Sequence, residues 1–184
     1  HRLGASGGGD GGGGAAGSGA SSAAGPTTAY IALGSNLGHR ARYISLALDA
    51  MRESCGEVVR VSQLYLTAPQ HVLDQPDFLN AACELRTHLS AAKLLESLKV
   101  IERALGRAAG GVRYGPRVVD LDLALYGDRG AFEVPTADGP LIVPHKLMLQ
   151  RTFVLGPLCD IAPEVVHPLN GHTLRKLYTN LCDS

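Results

Sequence analysis

The chain has 184 residues, 45% of them hydrophobic, and its 17 basic and 17 acidic side chains cancel. Once the first 26 residues are set aside, that length allows one domain of roughly 150 residues with a real core. Balanced charge excludes the broad electrostatic footprint of a protein that binds nucleic acid or an anionic membrane, and no apolar run approaches the ~18 residues of a transmembrane span.

Residues 1–26 are dominated by Gly, Ala and Ser. Such a segment cannot bury enough apolar surface to offset its ordering entropy, so it reads as a disordered linker ahead of a folded domain over 27–184. The chain starts at His1 and this stretch lacks the apolar core of a secretory signal, so a piece of a longer protein is expected. Thr28–Leu33 reads as a strand, and Gly34–Gly38 as a turn into a helix over Arg40–Ser54 with a core stripe of Ile44, Ala47, Leu48 and Met51. Strands are predicted over Glu57–Leu66 and Asn80–Thr87. Ser90 can then cap a helix whose stripe is Leu94, Leu95, Leu98, Ile101 and Leu105, with Gly106 just past its end. Val118–Leu125 is the next strand. A loop over Gly127–Pro140, a short strand at Leu141–Val143 and a last helix over Thr173–Asn180 complete the chain. The order β-α-β-β-α-β predicts an α+β, ferredoxin-like sandwich with both helices on one face of an antiparallel sheet, plus a C-terminal extension. Cys55, Cys83, Cys159 and Cys182 are too scattered for a zinc site or a dense disulfide framework, and read as buried free thiols in a reducing compartment.

The chemistry concentrates in Arg113-Tyr-Gly-Pro-Arg117-Val-Val-Asp120-Leu-Asp122. Successive strand side chains alternate faces, so Asp120 and Asp122 share one, with Cα atoms roughly 7 Å apart. Flanked by apolar residues they would repel by about a few kcal/mol, a penalty that a hard cation such as Mg²⁺ would remove, taking its other ligands from water and substrate phosphates. An edge strand with a solvated polar face, and Arg117 paired with Asp120 on the surface, accounts for the same residues equally well. The long segment from Thr67 to Asp77 exceeds what a hairpin needs. Phe78 and Asn80 share a strand face beyond it, offering a flat heterocycle a ring and an amide, or serving only as a core ring and a turn cap. His145 is a phosphate donor or the partner of a loop carbonyl, and Glu102 reads locally as a solvated helix charge.

Four blocks in order, Tyr30–Leu37, Gln75–Ala82, Arg113–Asp122 and Val143–His145 with Arg151 and Phe153, resemble 6-hydroxymethyl-7,8-dihydropterin pyrophosphokinase of the folate pathway. The resemblance runs from Thr28 to Tyr178. It implies that Asp120 and Asp122 bind two Mg²⁺ ions, that Arg117, His145 and Arg151 contact the triphosphate, and that Arg113 lies in a loop closing over ATP. Lys99, Glu102 and Leu123 complete the implied ATP set. Phe78 and Phe153 would sandwich the pterin, with Asn80 reading its edge and Thr67 and Tyr114 beside it. Catalysis is thereby assigned to Arg113, Arg117, Asp120 and Asp122, with the pterin hydroxymethyl oxygen attacking the β-phosphorus of ATP in line and AMP leaving. That scheme asks for positioning and charge neutralisation rather than a covalent nucleophile, and no convincing Ser-His-Asp or Cys-His set is present. Departures include Lys99, Gln70, Lys146, Tyr114 and the Ala108–Gly111 loop. The resemblance further implies a cytoplasmic protein, or a mitochondrial one in a plant-like source, with possible fusion to dihydropteroate synthase. A non-catalytic nucleotide-binding regulatory module of the same fold is the rival reading.

Overall fold

The computed structural model describes residues 25–70, 72–106, 115–128, 130–135 and 140–184. Most of the expected linker, the Ala108–Gly111 loop, Arg113 and Tyr114 lie outside the described residues. The elements are β1 (Thr27–Ser35), α1 (Arg40–Ser54), β2 (Glu57–Val61), β3 (Tyr65–Thr67), β4 (Phe78–Thr87), α2 (Ala91–Ala104), β5 (Asp120–Tyr126), β6 (Phe132–Val134), β7 (Leu141–Val143), α3 (Thr152–Ile161) and α4 (Leu174–Cys182). The main sheet runs β2-β4-β1-β5 with antiparallel pairing throughout, the ferredoxin-like arrangement, and β3 also pairs with β4.

Period-two alternation divides the middle strand between two cores. Ala29, Ile31 and Leu33 of β1 pack with the α1 and α2 stripes in one cluster. All four expected residues of α1 are buried, as are Leu94, Leu95, Leu98 and Ile101 of α2. Ser90 accepts the Lys93 amide at 3.4 Å, and Gly106, at φ +106°, follows the helix in a conformation that L side chains rarely adopt. Tyr30, Ala82, Ala124 and Leu125 belong to a second cluster under α3 and α4.

Several local expectations need correction. The strand expected over Glu57–Leu66 is two strands: Ser62 takes the Ala82 amide on its side-chain oxygen at 2.9 Å, and the ladder breaks there. The loop Gly127–Pro140 contains β6, which forms a two-stranded ribbon with β7. The strand expected from Val118 begins at Asp120. Helix α3 was not anticipated, because Gly156-Pro157 in its middle signals a break, yet Val154, Leu155, Leu158 and Ile161 give it an apolar stripe that tertiary packing rewards. Cys55 and Cys83 are buried as expected, but Cys182, at the end of α4, is exposed.

Candidate active site

The face of the sheet under the start of α3 carries unusually small residues. Along β1 the side chains on this face run Tyr30, Ala32, Gly34, so the space above the sheet widens toward the end of the strand. In register, Gly34 stands between Asn80 of β4 and Asp120 of β5, and Ala32 stands between Ala82 and Asp122. A Cβ at Gly34 would sit 3.2 Å from Asn80 Oδ1 and 3.9 Å from the Phe78 ring. Glycine thus keeps open a cleft of about 320 Å³.

One end of the cleft is an aromatic and amide slot. Thr67 pairs in register with Phe78, and Asn80 Nδ2 donates to Thr67 Oγ1 at 2.7 Å. That bond leaves Asn80 Oδ1 facing Gly34. Phe153, at the start of α3, lines the cleft with them. The chain has three phenylalanines and no tryptophan, and two of the three are placed here.

The other end is charged. Asp120 and Asp122 both line it, as the alternation argument requires, together with Arg117, His145, Lys146 and Arg151. Arg117 donates to Asp120 at 2.6 Å, with both side chains about one-fifth exposed (21% and 22%), so the ion pair is real but belongs to the cleft rather than the open surface. β5 is indeed an edge strand. Burial, then the neighbouring Asp120, pushes the Asp122 carboxyl above its ordinary range, with His145, Lys99 and Arg151 pulling it back. A cation bridging the two carboxylates would relieve both effects. Among the described residues no third His, Cys, Asp or Glu joins them. That donor set suits Mg²⁺, which keeps waters and accepts substrate oxygens.

His145 is docked to β5 through its own amide, bonded to the Ala124 carbonyl at 3.0 Å. Its Nδ1 accepts the Leu147 amide at 3.3 Å, so the neutral ring carries its proton on Nε2. Burial, assisted by Arg151 and Lys146, holds it below the usual histidine value against the pull of the two aspartates. The Arg151 guanidinium lies 5.6 Å from the Phe153 ring centroid and links the two ends of the cleft.

Among the described residues, three expected site residues, Lys99, Glu102 and Leu123, do not line the cleft. Leu123 is fully buried on the opposite face, where alternation from Asp122 must put it, packed in the α1/α2 core. Glu102 is not a solvated helix charge: its side chain is 1% exposed, its carboxylate accepts the Leu121 amide at 2.7 Å, and Lys99 bonds both of its oxygens at 3.0 Å. Burial raises its pKa. The pair thus fastens α2 to β5 at the residue between the two aspartates.

Sequence reasoning placed Asn36 in the Gly34–Gly38 turn but gave its side chain no role. It is 2% exposed; its Nδ2 reaches Gln75 Oε1 and the Pro76 carbonyl, both at 3.0 Å, while its Oδ1 accepts the Arg117 amide at 2.7 Å. One side chain in the strand-to-helix turn therefore ties together the segments that deliver Phe78 and Arg117. Partners nearly 40 and 81 positions away leave no local signal.

The fold and cleft define a ferredoxin-like protein with a carboxylate-and-cation site abutting an aromatic slot. Residues 30–163 match the family described as 7,8-dihydro-6-hydroxymethylpterin-pyrophosphokinase. The 2-amino-4-hydroxy-6-hydroxymethyldihydropteridine pyrophosphokinase of Bacillus subtilis is 44% identical over 138 residues, covering 74% of this chain and 79% of that protein. The chain belongs to this family. The folic acid synthesis protein fol1 of Pneumocystis carinii is 39% identical over 84% of the chain, and the match spans only 20% of that longer protein. A solved structure titled as HPPK-DHPS in complex with substrates shares the fold, with a TM-score of 0.71 at 14% identity, over 86% of this chain and 44% of that one.

Proposed function

We propose that the chain transfers pyrophosphate from MgATP to the hydroxymethyl group of 6-hydroxymethyl-7,8-dihydropterin and releases AMP, a step of folate biosynthesis. The observation that carries this reading is that one cleft holds a flat, amide-edged slot and a carboxylate-and-cation end side by side. A nucleotide-binding regulatory module would need the second but not the first.

Phe78 and Phe153 hold the pterin between their rings, Asn80 and Thr67 read its edge, and the hydroxymethyl oxygen is aimed at the β-phosphorus. A bond forms between that oxygen and the β-phosphorus as the bond from the β-phosphorus to the oxygen bridging to the α-phosphate breaks; that oxygen leaves on AMP and the hydroxyl proton is released to solvent. Arg117, Arg151 and the Nε2–H of His145 stabilise charge on the phosphate chain, which is the main demand of phosphoryl-type transfer. Asp120 and Asp122 would hold Mg²⁺, two ions in this reading, which neutralise charge on the attacking and leaving oxygens. Arg117 holds Asp120 in place in the ligand-free cleft, and a cation held by the carboxylate there would leave the guanidinium available to the phosphates. Arg113 and Tyr114, in the segment before Arg117, are assigned to closure over ATP and to the pterin side; Lys99, Glu102 and Leu123 support the nucleotide indirectly, through β5.

The domain is assigned to 27–184 with a linker over 1–26. Fusion to dihydropteroate synthase and a cytoplasmic location, or a mitochondrial one in a plant-like source, are part of the proposal; no helix among the described residues is long and apolar enough to cross a membrane. The test is to mix the protein with MgATP and the hydroxymethylpterin and separate the nucleotides. AMP with pterin diphosphate is expected, whereas ADP, or no turnover, overturns the assignment.

A further inference from the structure

Tyr65 of β3 stands opposite Asn80 in the ladder and so shares its sheet face, as does Thr67 on the same strand. On the helix above that face, Asp160 follows Phe153 by about two turns of α3, so the two side chains leave one side of the helix about 10 Å apart along its axis. Helix and strand are clasped at the end away from the slot. Tyr65 donates its phenol proton to Asp160 Oδ1 at 2.7 Å, and the Gln63 amide donates to Oδ2 at 3.1 Å. One residue on, the Ile161 carbonyl accepts from the Arg60 guanidinium at 2.9 Å. The Tyr65 phenol is pushed up to about 12, first by burial and then by its bond to Asp160, so it remains a donor at neutral pH. Neither Tyr65 nor Asp160 lines the cleft. The stripe that α3 lays on the sheet, Val154, Leu155, Leu158 and Ile161, is apolar, and contact of that kind is non-directional. It holds the helix down without fixing where along the sheet it sits.

We infer that Tyr65 and Asp160 are a positioning pair for the planar substrate: by locking α3 to β3 they fix the gap between the Phe153 ring and the wall made by Phe78 and Asn80, without touching what is bound there. The inference rests on the pterin slot of the proposed function. A gap of about 0.5–1 Å forfeits roughly a quarter to a half of the dispersion attraction between two surfaces, so a small slide of α3 is enough to weaken a sandwiched ring. The charged end is carried mainly by β5 and the residues just before it, with Arg151 alone joined to the start of α3. It feels the slide far less.

The experiment uses the full chain. Calorimetry titrates the hydroxymethylpterin with Mg²⁺ and a non-hydrolysable ATP analogue present, the analogue is titrated separately, and AMP formation gives KM for each substrate. Tyr65→Phe keeps the ring and removes only the hydroxyl; it should raise the pterin Kd and KM by about five- to tenfold, the worth of one hydrogen bond. Asp160→Ala should do the same, while nucleotide affinity stays within about twofold of wild type in both variants. Combining the two should fall within about twofold of the weaker single variant, because each removes the same contact. Asp160→Asn keeps an acceptor for the phenol and should recover most of what Asp160→Ala loses. Arg175→Ala breaks the exposed ion pair with Glu164 beside this corner and should leave pterin binding unchanged. A purely structural role would lower the melting temperature and leave the pterin Kd of the folded protein alone. Unchanged pterin Kd in both single variants, additive losses in the double, equal losses of pterin and nucleotide, or an equal loss in Arg175→Ala overturns the inference. If wild type makes no AMP yet binds the pterin, the pyrophosphokinase reading fails while the binding comparison still decides for or against the pair. If wild type binds no pterin, both fall.

Discussion

The two faces of the β4-β1-β5 sheet are made by the same strands and differ in almost every other respect. On the α1/α2 face, Ile31, Leu33, Leu85, Leu121 and Leu123 are 0–2% exposed and fill the space to the helices. On the α3 face, the residues one step along are Ala32, Gly34, Asn80, Asp120 and Asp122, and the space is left open. Each strand thus contributes stability with one half of its residues and the site with the other. A one-residue shift of register would exchange them.

That division implies separable effects, and the largest is expected on the open face. Asp122→Asn should lower turnover by about a thousandfold, by removing a charge proposed to hold the metal. It should not destabilise the ligand-free protein. The Asp122 carboxyl is raised in the folded state, so its ionisation opposes folding; the penalty sets in above the ordinary carboxylate value and is complete above the raised folded one. Thermal melts of wild type and variant should therefore diverge in the variant's favour as pH rises from 4 toward 8. A lower melting temperature for the variant at neutral pH would break the comparison.

On the closed face the expected signature is reversed. Leu123→Ala should cost about 2–5 kcal/mol in denaturant titrations, the range for buried leucines, while KM values for the protein that remains folded change little. A selective rise in the MgATP KM with unchanged stability would return Leu123 to the nucleotide site. Between the faces, Glu102→Ala should cost about 1–3 kcal/mol, because the Leu121 amide loses its partner, and should lower turnover through the aspartates on either side. Glu102→Gln keeps an acceptor and should recover most of the stability.

Smaller effects should sort the two ends of the cleft. Asn80→Ala should weaken pterin binding about tenfold, roughly one hydrogen bond, and MgATP binding far less. Equal losses would remove the edge-reading role. The mildest change is acid: His145 is held below its usual value, so folding stability should fall as pH drops from the ordinary ~6.5 toward the lowered folded value, and His145→Gln should flatten that slope.

Legibility of these features in the sequence followed their range. Helices α1 and α2 were readable because their stripes repeat at helical spacing, and the shared face of Asp120 and Asp122 because a strand alternates. Helix α3 was not, since Gly156-Pro157 outweighs a short apolar stripe until the sheet beneath it is present. The Asp120–Arg117 pair was foreseen, but not that it would lie in a cleft, which depends on Ala32 and Gly34 being small in the neighbouring strand. The burial of Glu102 and the clasp at Asn36 depend on partners brought near by the fold alone.

The account turns on a divalent cation and a nucleotide being held together by the charged end of the cleft. Calorimetric titration of ATP into the wild-type protein, with Mg²⁺ and again with a chelator, tests this most directly. Saturable binding that requires Mg²⁺ and is lost in Asp122→Asn is the predicted result. Binding that ignores both the metal and Asp122, or no binding at all, would contradict it.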